Sequence, residues 1–228
     1  MNEQHLNYLL QAIHIQQGVV GRSALAFGQQ AQAIEELPQA LNQRFDRANL
    51  LDLIQNQIYS DLAVTVAIFA WGGMRRDHAK QIFDNWNYLS PIVNAIRSEQ
   101  INTRIDAFDT LMNARREGHL EGLGISFFTK LICFLNPNLH GYILDQWTGK
   151  STNLLYRNSL NDNQLINITA NGWISDHNNT TNTYESFCQR IEEVANVLNC
   201  TPLEAEERLF SHGGRIRGMW RQYVINSY

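Results

Sequence analysis

The chain has 228 residues, 44% of them hydrophobic and 18% charged, enough for a substantial core in one domain or two small lobes. Its formal net charge of -4 excludes a global basic field for coating nucleic acid, while leaving room for a local basic site. Only four prolines, with many Leu, Ala, Gln and Asn, favour helix over sheet.

In chain order, "NEQHLNYLLQAIHIQQ" carries the first helical periodicity, and "LPQALNQRF" reads as a second helix opened by a proline. "RANLLDLIQNQIYSDLAVTVAIFAW" holds one or two helices ending at Gly72-Gly73. Its apolar run is too short for a membrane span, which needs about 20 residues. "RDHAKQIFDNWNYLSPIVNAIRSE" is expected to break near Ser90-Pro91. "NTRIDAFDTLMNARREG" puts Ile105, Phe108 and Met112 on one face, with Asn102 or Thr103 as cap and Gly118 as stop. "ISFFTKLICFL" ends at Asn136-Pro137, and "LDQWTGKSTNLLYRN" starts a further helix. Residues 158 to 183, rich in Asn, Thr and Ser, read as loop, with a short strand at "LINIT" and the character of a surface insertion. Three closing helices follow, the middle one opened by Thr201-Pro202. The fold class is all-α.

The three cysteines, Cys133, Cys188 and Cys200, are widely spaced without a CxxC, which argues against a metal site and for reduced thiols. The start "MNEQHLNYLLQ" lacks the basic-then-apolar pattern of a signal peptide. Both point to a cytoplasmic protein.

The stretch "HLEGLGISFFTK", residues 119 to 130, joins two helices through Gly122, Leu123 and Gly124. Such glycines let backbone N–H groups converge at the start of the second helix, a nest for an anion such as a DNA phosphate. As a plain helical turn the same residues would be unremarkable. Downstream, Asp145 lies nineteen residues after Ser126, in "HGYILDQWTGK" and beyond Pro137. Over residues 103 to 150 the chain resembles the helix-hairpin-helix DNA glycosylase superfamily. The phrases "GLGISFFTKLICFL" and "ILDQWTGKS" are most similar to a bacterial 8-oxoguanine DNA glycosylase-like branch.

The resemblance implies a two-lobed helical bundle. Residues 1–228 would form one domain, with the hairpin at about 103–135, a central lobe at about 49–150, and the terminal helices as the second lobe. It implies a DNA N-glycosylase with AP lyase activity that flips an oxidised or modified base, 8-oxoguanine favoured, out of the duplex. Asp145 would stabilise the cationic sugar. The family's lysine position holds Ser126, and Lys130 lies one turn later on the same face, so Lys130 is the candidate amine. Burial in an apolar helix favours its neutral, nucleophilic form. If Lys130 cannot reach the sugar, Asp145 would activate water instead.

DNA contacts are expected from Gly122, Leu123, Gly124 and Ser126, and from two arginine clusters, Arg75 with Arg76 and Arg215 with Arg217 and Arg221. Met74 or Arg75 could fill the vacated stack. Phe127, Trp147, Trp71 and Trp220 are candidates for holding the base, although for each a core role is the commoner one. Glu121 and His119 flank the hairpin, the former as a potential repulsion. No metal or cofactor is expected, apart from a monovalent cation at the hairpin. The partner would be double-stranded DNA carrying a damaged base, the protein a monomer, and a defence role against modified phage DNA is a variant. A non-catalytic DNA-binding module and a helical protein adaptor are the competing classes.

Overall fold

The computed structural model describes residues 1–16, 18, 21–157, 164–212 and 216–228. Among them twelve α-helices form and no strand, apart from an isolated bridge between Ile168 and Ile174. The chain divides into two compact units, Gly18–Gly141 and Met1–Gln17 with Tyr142–Tyr228. No helix is long and apolar enough to cross a membrane among the described residues.

The central unit holds α2 (Ala24–Gln30), α3 (Arg47–Gln55), α4 (Asp61–Trp71), α5 (Arg76–Asp84), α6 (Trp86–Arg97), α7 (Arg104–Arg116) and α8 (Ile125–Leu135). Its pivot is α4, buried from Leu62 to Trp71 and capped by the Ser60 hydroxyl, which accepts from the Ala63 N–H. Helix α8 is buried on nearly every side and packs against α3, α4, α6 and α7.

Three expectations change here. "LPQALNQRF" forms only a 3-10 turn, Gln39–Leu41, after Pro38. The break in the 76–97 segment falls at Asn85, whose side-chain amide donates to the Gln81 carbonyl and closes α5. Pro91 lies inside α6 because it and Asn87, whose carbonyl loses its ladder partner, are both exposed to water. Ile105 is 42% exposed, so the buried face of α7 is carried by Ala107, Phe108, Leu111 and Met112.

The other unit holds α1 (Glu3–Gln11), α9 (Gln146–Tyr156), α10 (Thr181–Leu198), α11 (Pro202–Phe210) and α12 (Met219–Ser227). Capping boxes at Thr180 and Thr201 start α10 and α11. The polar segment before α10 is more than a surface insertion. Asn153 exchanges hydrogen bonds with the Ile166 backbone, and Asn179 bonds the Asn167 and Ser175 carbonyls. These amides satisfy a buried irregular backbone while Ile166 and Ile174 pack on Gly149 of α9, where a Cβ would lie 3.1 and 2.8 Å from them. Cys133 and Cys188 are buried, Cys200 is half-buried, and none of the three is in a disulfide among the described residues.

Candidate nucleic-acid interface and active site

Helix α7 starts on the Thr103 hydroxyl, which accepts from the Asp106 N–H, and stops at Gly118, φ +83°. The His119 N–H returns to the Ala114 carbonyl at 3.0 Å, closing the last turn. Leu120 and Leu123 are fully buried and tie the connection down. Between the two leucines Gly122 takes φ +84°, and after them Gly124 is the extended N-cap of α8. The N-cap glycine has no side chain with which to cap α8, and the Phe127 and Phe128 N–H groups donate to its carbonyl at 2.8 and 3.0 Å. Leu123 could contribute only its backbone to an anion nest, since its side chain belongs to the core. Ser126 is half-buried in the first turn.

The flanking residues are spoken for. Glu121 accepts from Gln81 Nε2 of α5 at 2.9 Å, which draws the carboxylate sideways. His119 stacks flat on Tyr88, centroids 3.9 Å apart, with Nε2 3.5 Å from the Glu117 carboxylate.

Lys130 is 7% exposed. Its side chain runs back along α8, and Nζ donates to the Ser126 carbonyl at 3.0 Å, 4.9 Å from the centre of the Phe127 ring. The amine therefore ends beside residue 126 although its backbone is one turn away. Its stem lies over Gly72, the C-cap of α4: a Cβ there would come within 2.8 Å of Lys130 Cδ and 2.9 Å of Phe127 Cε1.

In the other unit Asp145 is the N-cap of α9. Its Oδ1 accepts from the Trp147 N–H at 2.7 Å and the Thr148 N–H at 3.1 Å, while the Asp145 N–H donates to Thr148 Oγ1 at 2.9 Å. The backbone thus holds the carboxylate through one oxygen, and Oδ2 takes no hydrogen bond among the described residues.

The aromatic candidates separate. Trp220 is 1% exposed and its Nε1 donates to Ser151 Oγ at 2.9 Å, so it is a core residue with no face to offer a base. Trp71 is 4% exposed and packs edge-on against Phe134, and its buried Nε1 finds no acceptor among the described residues. Phe127 is half-buried, edge-on to Phe69. Trp147 is half-buried and already engaged by two cations, Arg221 at 5.1 Å and Lys150 at 5.0 Å.

Among the arginines, Arg75 is exposed but forks onto Asp77, whose carboxyl its guanidinium holds below the usual carboxylate range. Arg76 and Arg217 are exposed. Arg221 is 2% exposed and donates to the carbonyls of Phe210 and His212, a clamp on the chain after α11 rather than a backbone grip for DNA. Arg215 lies outside the described residues. Met74 is 3% exposed, and a side chain so packed is no wedge. Lys150, five residues after Asp145, was not singled out by the sequence. Its signal there was only its spacing from Trp147 on one helix. No group of three or more acidic, His or Cys side chains suited to a metal ion occurs among the described residues.

Residues 17–210 match the model of the family described as "Putative 8-oxoguanine DNA glycosylase OGG-like protein". No curated protein and no solved structure matches the chain.

Proposed function

The chain belongs to this 8-oxoguanine DNA glycosylase OGG-like family, and from that premise we propose that it excises a damaged base, 8-oxoguanine favoured, from double-stranded DNA. The observation that carries the reading is Asp145, a carboxylate fixed by two backbone N–H groups through Oδ1 with Oδ2 uncommitted. As the C1′–N bond breaks, the base departs with the electron pair and the sugar becomes cationic. A fixed, ionised oxygen stabilises that charge without having to reorganise.

The glycine hairpin supplies the second part. The turn through Gly122 and Gly124 at the N-terminus of α8 would hold a backbone phosphate, with Arg76 and Arg217 as exposed cations. A monovalent cation at the hairpin would bind there with the same phosphate. The base, once flipped, would need an aromatic surface, for which half-buried Phe127 stands on the hairpin's own unit, whereas Trp71 is packed into the core.

The lyase step is assigned to Lys130. The neutral amine attacks the cationic C1′ with its lone pair and loses a proton; the C1′–O4′ bond then breaks, O4′ takes up a proton, and the nitrogen lone pair completes an imine with the opened sugar. Loss of a 2′ proton then expels the 3′ phosphate by β-elimination, and water releases the enzyme. Two features support this amine: it terminates beside residue 126, and its stem has a dedicated seat on Gly72.

Borohydride reduction in the presence of duplex DNA bearing 8-oxoguanine or an abasic site tests the assignment. A covalent adduct in the wild type that disappears in Lys130→Ala is expected. Base release without an adduct would instead indicate water activated by Asp145. Absence of base release from a broad lesion panel would sink the enzyme reading.

A further inference from the structure

A column of alternating cations and rings runs through the unit that carries Asp145. The Arg221 guanidinium lies 4.3 Å from the centre of Phe210 and 5.1 Å from that of Trp147. Lys150 Nζ lies 5.0 Å from Trp147 and 5.6 Å from Tyr228. Both ends are fixed. Arg221 is clamped by the Phe210 and His212 carbonyls, and the Tyr228 hydroxyl accepts from Asn153 Nδ2 at 3.2 Å. The two cations differ in one respect. Arg221 spends its donors on carbonyls, whereas Lys150 makes no hydrogen bond and no ion pair among the described residues.

A half-buried ammonium group with three unspent donors is incomplete. Burial alone pushes its pKa down, with no carboxylate beside it to oppose the shift. The ring faces offer the charge some compensation but accept no hydrogen bonds in ordinary geometry. The turn at Gly172, φ +82°, brings the chain up against the amine, and a Cβ there would lie 2.8 Å from Nζ.

We propose that Lys150, seated on Trp147 and Tyr228 beneath Gly172, is a phosphate-binding site that takes a phosphodiester of the substrate strand. The proposal rests on the reading of this chain as a DNA-acting protein. An ammonium ion with no internal partner suits an anion rather than a neutral group, and a phosphodiester is the anion that DNA repeats at every nucleotide. Asp145 and Lys150 lie on one helix, about 7.5 Å apart along its axis at 1.5 Å per residue. Five residues also turn about 140° around that axis, so a phosphate on Lys150 would lie on another side of α9 from Asp145, at a position that one rigid element fixes relative to the sugar facing Asp145.

Binding to a duplex containing a stable abasic-site analogue, measured across a salt series, tests this. The slope of log K against log salt should fall in magnitude by about 0.9 in Lys150→Gln, the loss of one phosphate contact. It should be retained in Lys150→Arg and unchanged in Lys80→Gln, whose amine is already paired with Asp84. Replacing single phosphates beside the abasic position by neutral methylphosphonates should locate the contact. At one position the replacement weakens the wild type and leaves Lys150→Gln unaffected. Additive losses at every position, or an unchanged slope in Lys150→Gln, would overturn the proposal. So would a borohydride adduct mapped to Lys150, which would make the amine a nucleophile instead. A wild type that binds no DNA at any salt would overturn the underlying reading as well, whereas salt-dependent wild-type binding with an unchanged slope in the variant overturns the Lys150 site alone.

Discussion

Asp145 is an N-cap in the structure and a sugar-cation stabiliser in the proposed reaction, and one substitution can separate the two. As an N-cap it accepts two backbone N–H bonds, a role that asparagine fills about as well, whereas alanine costs about 1 kcal/mol. As the stabiliser of a sugar cation it needs charge, which asparagine lacks. Asp145→Asn should therefore leave thermal unfolding nearly unchanged while base release falls on the order of 100-fold or more. Asp145→Ala should lose both. At Gly72 the logic runs the other way. Its φ of -71° is open to alanine, and the obstructing atoms belong to the flexible side chain of Lys130 and the edge of Phe127. Gly72→Ala should fold, displace the amine, and cut borohydride trapping on the order of 100-fold, the scale of a 1 Å misplacement. Circular dichroism and base release serve as controls that a general defect would also move. These two residues illustrate what the sequence could and could not convey. The N-cap role of Asp145 was legible because its partners, Trp147 and Thr148, follow within three residues, whereas its catalytic assignment came from the family resemblance. The seat of Lys130 was not, since Gly72 stands 58 positions earlier.

At the level of elements, local signals succeeded where the answer was local. The hairpin between α7 and α8 was legible because Thr103, Gly118 and Asn136-Pro137 punctuate a long apolar run. Pro91 misled because a proline on an exposed helical face can leave its lost carbonyl partner to water. The Asn-rich segment misled in the same sense: its amides replace a missing ladder by bonding buried backbone, which composition does not distinguish from solvated loop. Lys150 and Arg221 were passed over or misjudged because Tyr228 reaches Lys150, and Trp147 and Phe210 reach Arg221, only through tertiary folding. One test belongs here. In the capping box of α11, Thr201 Oγ1 accepts from the Glu204 N–H at 3.2 Å and the Glu204 carboxylate accepts from the Thr201 N–H at 2.9 Å. Thr201→Ala should cost about 1 kcal/mol in chemical denaturation and leave base release unchanged.

For the whole molecule, a net charge of -4 means that affinity for DNA must come from placed groups and not from a diffuse field. Stability carries its own pH dependence. Burial pushes His5 and His14 below their ordinary value of 6.5, assisted at His14 by Arg208. Below about pH 6.5 the unfolded chain takes up protons that the folded chain refuses, so stability falls as pH drops through that window. The midpoint of thermal unfolding should be lower at pH 5.5 than at pH 7.5, and His14→Asn should flatten the difference. The hairpin and Lys130 belong to one compact unit, and Asp145 and Lys150 to the other. The central claim, that this chain is a DNA glycosylase working through Asp145, is tested most directly by release of free base from duplex DNA containing 8-oxoguanine. The account predicts release by the wild type and its loss in an equally stable Asp145→Asn. Equal release by both proteins would contradict it.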